Sequence, residues 1–267
     1  MDAATVKGAD TKPAEQLTLA ALVGIPTVAT GQDLAPLILQ ATRDSKIELR
    51  DDDILIVAQK IVSKSEGRFV RLCDVAPSKD ALALSAQSGK DARVVELILR
   101  ESTEIVRCRP GVIIAVHRLG HVMANAGIDA SNVETPEGDD TVLLLPLDPD
   151  ASAARLRDAI RASAGVDIGV IINDSFGRAW RLGTVGAAIG VAGLPGLLDL
   201  RGRPDRNGRA LQTSEVGVAD ELAAAGSLLM GQADEGRPAV LIRGYAAPRR
   251  DGSAAELIRP KHLDLFR

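Results

Sequence analysis

Apolar positions along the chain alternate between short runs rich in β-branched residues and longer stretches with helical spacing, the pattern of a mixed α/β architecture. The short runs predict strands over residues 17–23, 53–58, 111–116, 142–145, 168–172 and 239–243. Helices are expected to begin at Asp33, Ser78 and Asp150, whose side chains can accept from the free N–H groups of a first turn, with Gly89 and Gly165 as stops. Further helices are expected over 92–101 and 214–229. Between Phe176 and Arg209, glycine and arginine break the periodicity, which predicts a long irregular segment, either functional or a plain surface crossover. Residues 1–16 are expected as a loose tail, 17–250 as a single domain and 251–267 as a polar C-terminal tail.

Composition narrows the partners. With 46% hydrophobic and 25% charged residues, 267 residues can bury a sizeable core. A net charge of -4 and an aromatic content of 2% supply neither a cationic field nor stacking platforms, so nucleic acid is not expected as a partner. Cys73 and Cys108 form no pair or ligand cluster with the three histidines, which argues against zinc ribbons and disulfide scaffolds and suits a reducing cytoplasm. No apolar run approaches the ~20 residues that span a bilayer, and the first sixteen residues lack the apolar core of a signal peptide, so no membrane association is expected.

Several common chemistries are missing. Gly89-Lys90 lacks the preceding glycine of a P-loop, and Gly186, Gly190, Gly193 and Gly196 miss the G-x-G-x-x-G spacing, pointing instead to close backbone packing. H-E-x-x-H and G-x-S-x-G are absent as well.

Four groups of residues remain as candidates. The string Asn125-Ala126-Gly127-Ile128-Asp129-Ala130-Ser131-Asn132 suits a tight loop: Asp129 could bind a hard cation and Asn132 a phosphate or ribose oxygen, or the string is a self-bonded Asx turn. Asp174 and Ser175 follow a buried strand, where open α/β sheets expose ligand groups, and a carboxylate beside a hydroxyl suits magnesium; either could also cap a helix. Lys64, within Ser63-Lys64-Ser65-Glu66-Gly67-Arg68 and near Gln59 and Lys60, could meet a polyphosphate or simply be solvated. Arg178, Arg181, Arg201, Arg203, Arg206 and Arg209 crowd the irregular segment and would add positive charge for an anionic substrate if it folds over the aspartates.

These motifs, together with Gly24-Ile25-Pro26, residues 144–150 and residues 228–231, occur in order between Val23 and Gly244, and with them the chain resembles the coenzyme F420-0:L-glutamate ligase family. The resemblance implies a mixed α/β fold that forms a homodimer through intertwined sheets. It implies GTP-dependent addition of L-glutamate to coenzyme F420-0 through an acyl-phosphate, with two divalent ions, Mg²⁺ or Mn²⁺, and possible stimulation by K⁺. Carried onto this sequence, it assigns Val23, Gly24, Ile25, Pro26, Gln59, Lys60, Lys64 and Asn132 to GTP, and Met230, Gly231, Gln232, Ala233, Asp234, Glu235, Gly236 and Arg237 to the same nucleotide site. It assigns Asp129 and Asp174 to a first metal, Ser175 and Gln232 to a second, and Arg178 to catalysis beside the two aspartates. Residue 232 is neutral here, where some members of that family carry a carboxylate. A metal-dependent phosphohydrolase or nucleotidase, and a GTP-binding module without turnover, are the competing classes.

Overall fold

The computed structural model describes residues 15–129, 140–248 and 250–265. The chain runs through β1 (Thr18–Ala21), α1 (Leu34–Asp44), β2 (Ile54–Ala58), α2 (Gln59–Ser65) and β3 (Phe69–Arg71), then α3 (Lys79–Ser88), α4 (Ala92–Arg100), β4 (Ser102–Arg109), β5 (Val112–His117) and β6 (Val122–Ala124). It continues with β7 (Thr141–Leu143), α5 (Pro149–Ala164), β8 (Gly169–Arg178), β9 (Arg181–Ala192), β10 (Leu198–Asp199), β11 (Glu215–Val216), α6 (Val218–Met230) and β12 (Ala239–Arg243). The α/β expectation holds.

The central sheet has the order β1-β12-β2-β8-β9, and only β2 and β8 pair in parallel. Alternation along its inner strands divides the core: Leu55, Val57, Val170, Ile172 and Leu241 face α1, α2 and α5, whereas Ile54, Ile56, Ile171, Val240 and Ile242 face α6. A second layer of structure packs α3 and α4 on the antiparallel sheet β4-β5-β6 around Val95, Ile98, Ile113 and Ala115.

Asp33 and Ser78 accept from Ala35 and Ala81 and cap α1 and α3, as their side chains predict, and Gly89 and Gly165 end α3 and α5 in the left-handed conformation. Asp150 does not start α5. Asp148 is the cap, because Pro149, with no N–H to donate, takes the first helical position; the Asp150 carboxylate instead accepts from Val191 and Ala254. The helix expected from 214 begins only at Val218, since Glu215 and Val216 pair with Leu198 and Asp199. The strand expected over 168–172 runs on to Arg178 and turns back as β9, so the first half of the expected irregular segment is a hairpin. The expected N-terminal tail lies almost wholly outside the described residues. The C-terminal segment is packed in its first part: Ala254 is buried beside α6, and Glu256 accepts from Gly196 and Leu197 while gripping Arg250. Among the described residues no helix is long and apolar enough to cross a membrane.

The glycines of β9 do serve close packing. A Cβ at Gly186 would lie 2.5 Å from the Ala223 carbonyl oxygen, and one at Gly190 would collide with the Pro149 carbonyl, so α6 and α5 approach the sheet on opposite faces of one small-residue strand. Overpacking of this kind costs ~1–3 kcal/mol. Gly190→Ala is therefore expected to lower the urea midpoint with an unchanged slope; an unmoved midpoint would mean that α5 yields freely.

Candidate functional site

The parallel pairing of β2 with β8 ends where β2 does, with Ala58 opposite Asn173. In open sheets, ligands bind outside such carboxyl ends. Here the chain leaves β2 directly into α2, which carries Lys60 and Lys64 one turn apart on one face, while β8 places Asp174 and Ser175 one and two residues past the pairing. Asp174 is thus a strand residue and not a helix cap.

Two adjoining cavities open there, of about 310 and 480 Å³. They share Gln59, Lys60, Asp174, Ser175 and Gln232 and so form one cleft. The smaller part is closed by Met123, Gly127, Asp129, Phe176 and Gly177. The larger lies between Ile25, Pro26 and Thr27 on one side and the loop from Met230 through Arg237 on the other, with Lys64 at its wall.

Asp129 reaches the cleft from an unusual turn. Asn125, Ala126 and Gly127 all have positive φ, of 52°, 51° and 68°, a conformation that costs an L-residue about 1–2 kcal/mol. Burial holds it: Ala126 is 1% exposed, and a Cβ at Gly127 would sit 2.9 Å from Leu145. Asn125 accepts from the backbone of Ile113, 3.2 Å away, rather than closing an Asx turn on itself. Asp129 then pairs backbone to backbone with Leu143, through N–H···O contacts of 3.0 and 2.8 Å, which fixes where its carboxylate emerges.

That carboxylate lies 2.7 Å from the Lys60 ammonium. Burial pushes the Asp174 carboxyl up to about 6; the N–H of Ser175 opposes the rise, the charge of Asp129 adds to it and Lys60 opposes it. Among the described residues no three His, Cys, Asp or Glu side chains are grouped to hold a metal. A cation here would draw on two carboxylates plus the Ser175 hydroxyl and the Gln232 amide, an all-oxygen donor set that fits a hard divalent ion with positions left for substrate phosphate. It would also relieve the like-charge conflict between Asp129 and Asp174.

The loop after α6 is braced from within. Gly231 ends the helix with φ +75°, and the Glu235 carboxylate folds back to accept from Ala233 at 2.8 Å, a contact that lowers its pKa. Gln59 is 3% exposed and its oxygen accepts from Ser63, leaving the NH₂ end for the cleft.

Most of the expected site residues therefore meet. Val23 and Gly24 lead into the cleft without lining it; Val23 donates to Ser45. Asn132 lies outside the described residues. Arg178 is not at the cleft: it sits near the tip of the β8–β9 hairpin, where it donates to the Leu182 carbonyl, because the strand carries it four residues beyond Asp174. Arg201 is likewise engaged, with Asp199 and Glu215. Sequence reasoning passed over Asn173, Phe176 and Ser227. Ser227 accepts from the Gln232 amide, and its only signal is a polar residue on the buried face of α6.

Residues 23–244 match the family described as F420-0:Gamma-glutamyl ligase. A coenzyme F420:L-glutamate ligase of Methanothermobacter thermautotrophicus is 47% identical over 253 residues, 94% of this chain and 99% of that protein. Proteins of the same description from Methanopyrus kandleri and Archaeoglobus fulgidus are 47% and 43% identical, over 90% and 91% of this chain and 93% and 94% of theirs.

Proposed function

The chain belongs to the F420-0:Gamma-glutamyl ligase family, and from that membership we propose that it joins L-glutamate to coenzyme F420-0 at the expense of GTP, as a cytoplasmic homodimer. The observation that carries the reading is the single cleft in which Asp129 and Asp174 face Lys60 and Lys64.

A carboxylate resists attack by an amine until one of its oxygens becomes a leaving group. In the proposed reaction the acceptor carboxylate attacks the γ-phosphorus of GTP, and the bond to the β-phosphate oxygen breaks to release GDP. The glutamate amine then attacks the acyl carbon, expelling phosphate and losing a proton, which leaves an amide. Bound Mg²⁺ or Mn²⁺ would neutralise charge developing on the phosphate oxygens. Asp129 and Asp174 would hold the first ion, and Ser175 and Gln232 contribute oxygens for a second. Lys60 and Lys64 would meet the polyphosphate, and the 230–237 loop with Ile25 and Pro26, which walls the larger cavity, would enclose the nucleotide. No side-chain nucleophile is required, because positioning and charge neutralisation do the chemistry.

The test is direct. Protein incubated with F420-0, glutamate, GTP and Mn²⁺ is expected to yield glutamylated product by mass spectrometry, with GDP and phosphate formed alongside. Absence of product while GTP demonstrably binds would overturn the ligase reading, and phosphate release without an acceptor would point to the phosphohydrolase. Lys64→Ala is expected to raise the KM for GTP several-fold more than that for glutamate, since it removes a point charge beside the polyphosphate. Unchanged constants on folded protein would return Lys64 to a solvent role.

A further inference from the structure

Gln232 bridges the cleft and α6. Its Oε1 accepts from the Ser175 hydroxyl at 2.9 Å, and its Nε2 donates backwards, 3.2 Å to the Ser227 hydroxyl on the buried face of the helix. Ser227 is 9% exposed. It stands this close to the sheet because Gly186 has no side chain: a Cβ there would lie 2.8 Å from the Ser227 Cβ.

An amide has two ends of nearly the same shape and opposite polarity. The carboxylates of Asp129 and Asp174 attract the NH₂ end, which would then occupy the lone pairs a cation needs. We propose that Ser227 is a positioning residue that holds the Gln232 amide with its oxygen toward Ser175 and its NH₂ toward the helix, so that a divalent cation in the cleft meets oxygen alone. With its hydrogen given to Gln232, the Ser175 hydroxyl keeps its lone pairs for the same ion. This rests on the reading of the cleft as a cation site. A carboxylate at position 232 has no wrong face and needs no such anchor, so the requirement for Ser227 is tied to the glutamine of this chain.

The experiment is a double-mutant cycle read by binding of Mn²⁺ alone, followed through the signal of free Mn²⁺ in electron paramagnetic resonance, on the intact chain without substrates. Ser227→Ala is expected to weaken Mn²⁺ binding about 5-fold, the worth of one hydrogen bond. In a Gln232→Glu background the same change is expected to cost less than 2-fold, and Ser227→Thr, which keeps the hydroxyl, is expected to bind as the parent does. Equal loss in both backgrounds would show a merely structural role and overturn the proposal, as would no loss in either. Should Ser227→Ala not fold, Ser227→Cys preserves the volume with a poor acceptor and carries the same expectation. If the parent protein and Gln232→Glu both fail to bind Mn²⁺, the cation reading falls first and takes this one with it.

Discussion

Asp174→Asn is expected to lower kcat roughly 100-fold while leaving the fold intact or more stable. A metal's stabilisation of developing charge is worth several kcal/mol, and each 1.36 kcal/mol is tenfold in rate, so a loss of ~3 kcal/mol gives that factor. The stability side has the opposite sign. A carboxyl raised to about 6 in the folded protein, from an ordinary value near 3.8, binds its proton more tightly folded than unfolded. Stability therefore falls as pH rises from about 4 to about 6 and stays lower above, unless a cation takes the proton's place. Asparagine carries no charge to bury. In EDTA at neutral pH the variant is expected to melt at or above the parent, and added Mn²⁺ is expected to raise the Tm of the parent alone. Turnover should also decline as pH drops through about 6, where protons compete with metal. Activity within a few-fold of the parent at saturating GTP and metal would remove Asp174 from the reaction.

The second large effect concerns association. Beyond Asn173, among the described residues, β8 pairs with β9 alone, and the resulting arm exposes Trp180 at 87% and Leu182 at 97%. Such apolar tips are characteristic of contact surfaces. In a two-fold dimer each is buried twice. At ~1.5–3 kcal/mol for a fully buried large side chain, four of them contribute several decades of dimerisation constant. Trp180→Glu combined with Leu182→Glu is expected to sediment as a 28.0 kDa monomer at micromolar concentration, where the parent is expected at twice that mass. Far-ultraviolet circular dichroism should not change. A parent that is itself monomeric would contradict the homodimer, and a variant still dimeric would remove the hairpin tip from its contact surface.

Local rules made part of this fold legible. Asp33, Ser78, Gly89 and Gly165 act where their own chemistry puts them, and the strand at Ala239–Arg243 has the expected bounds. The failures share a cause, which is dependence on distant partners. β9 reads as irregular because its Gly-Ala-Ala-Ile-Gly-Val-Ala run is mostly glycine and alanine, and the reason lies in the helices pressed on both faces of it. α2 has only Ala58 at its start, with no side-chain cap, and is too short for a helical period to show. β4, at the edge of its sheet, has Ile105 and Val106 flanked by Glu104, Arg107 and Arg109, so no apolar run marks it. At the site, Asp129 and Asp174 were legible by residue type, as was the loop after α6. Nothing local to Arg178 reveals that β8 continues outward and carries it away from the cleft of its own chain.

The cleft takes its walls from five stretches of chain: around Ile25, Lys60, Asp129, Asp174 and Gln232. None is a sequence neighbour of another except through a strand of the central sheet or through the Asp129–Leu143 pairing, and the β2–β8 contact at their centre joins residues as distant as Ile54 and Gly169. Such non-local pairing carries a large loop-closure cost that only the contacts of the whole sheet offset. No fragment or half-folded chain is then expected to present the pocket, and a ligand of the cleft would be recognised by the finished molecule only. Whatever free energy the ligand releases on binding accrues to global unfolding rather than to the ordering of one loop. Nucleotide would protect distant termini of the sheet from proteases as well as it protects the cleft.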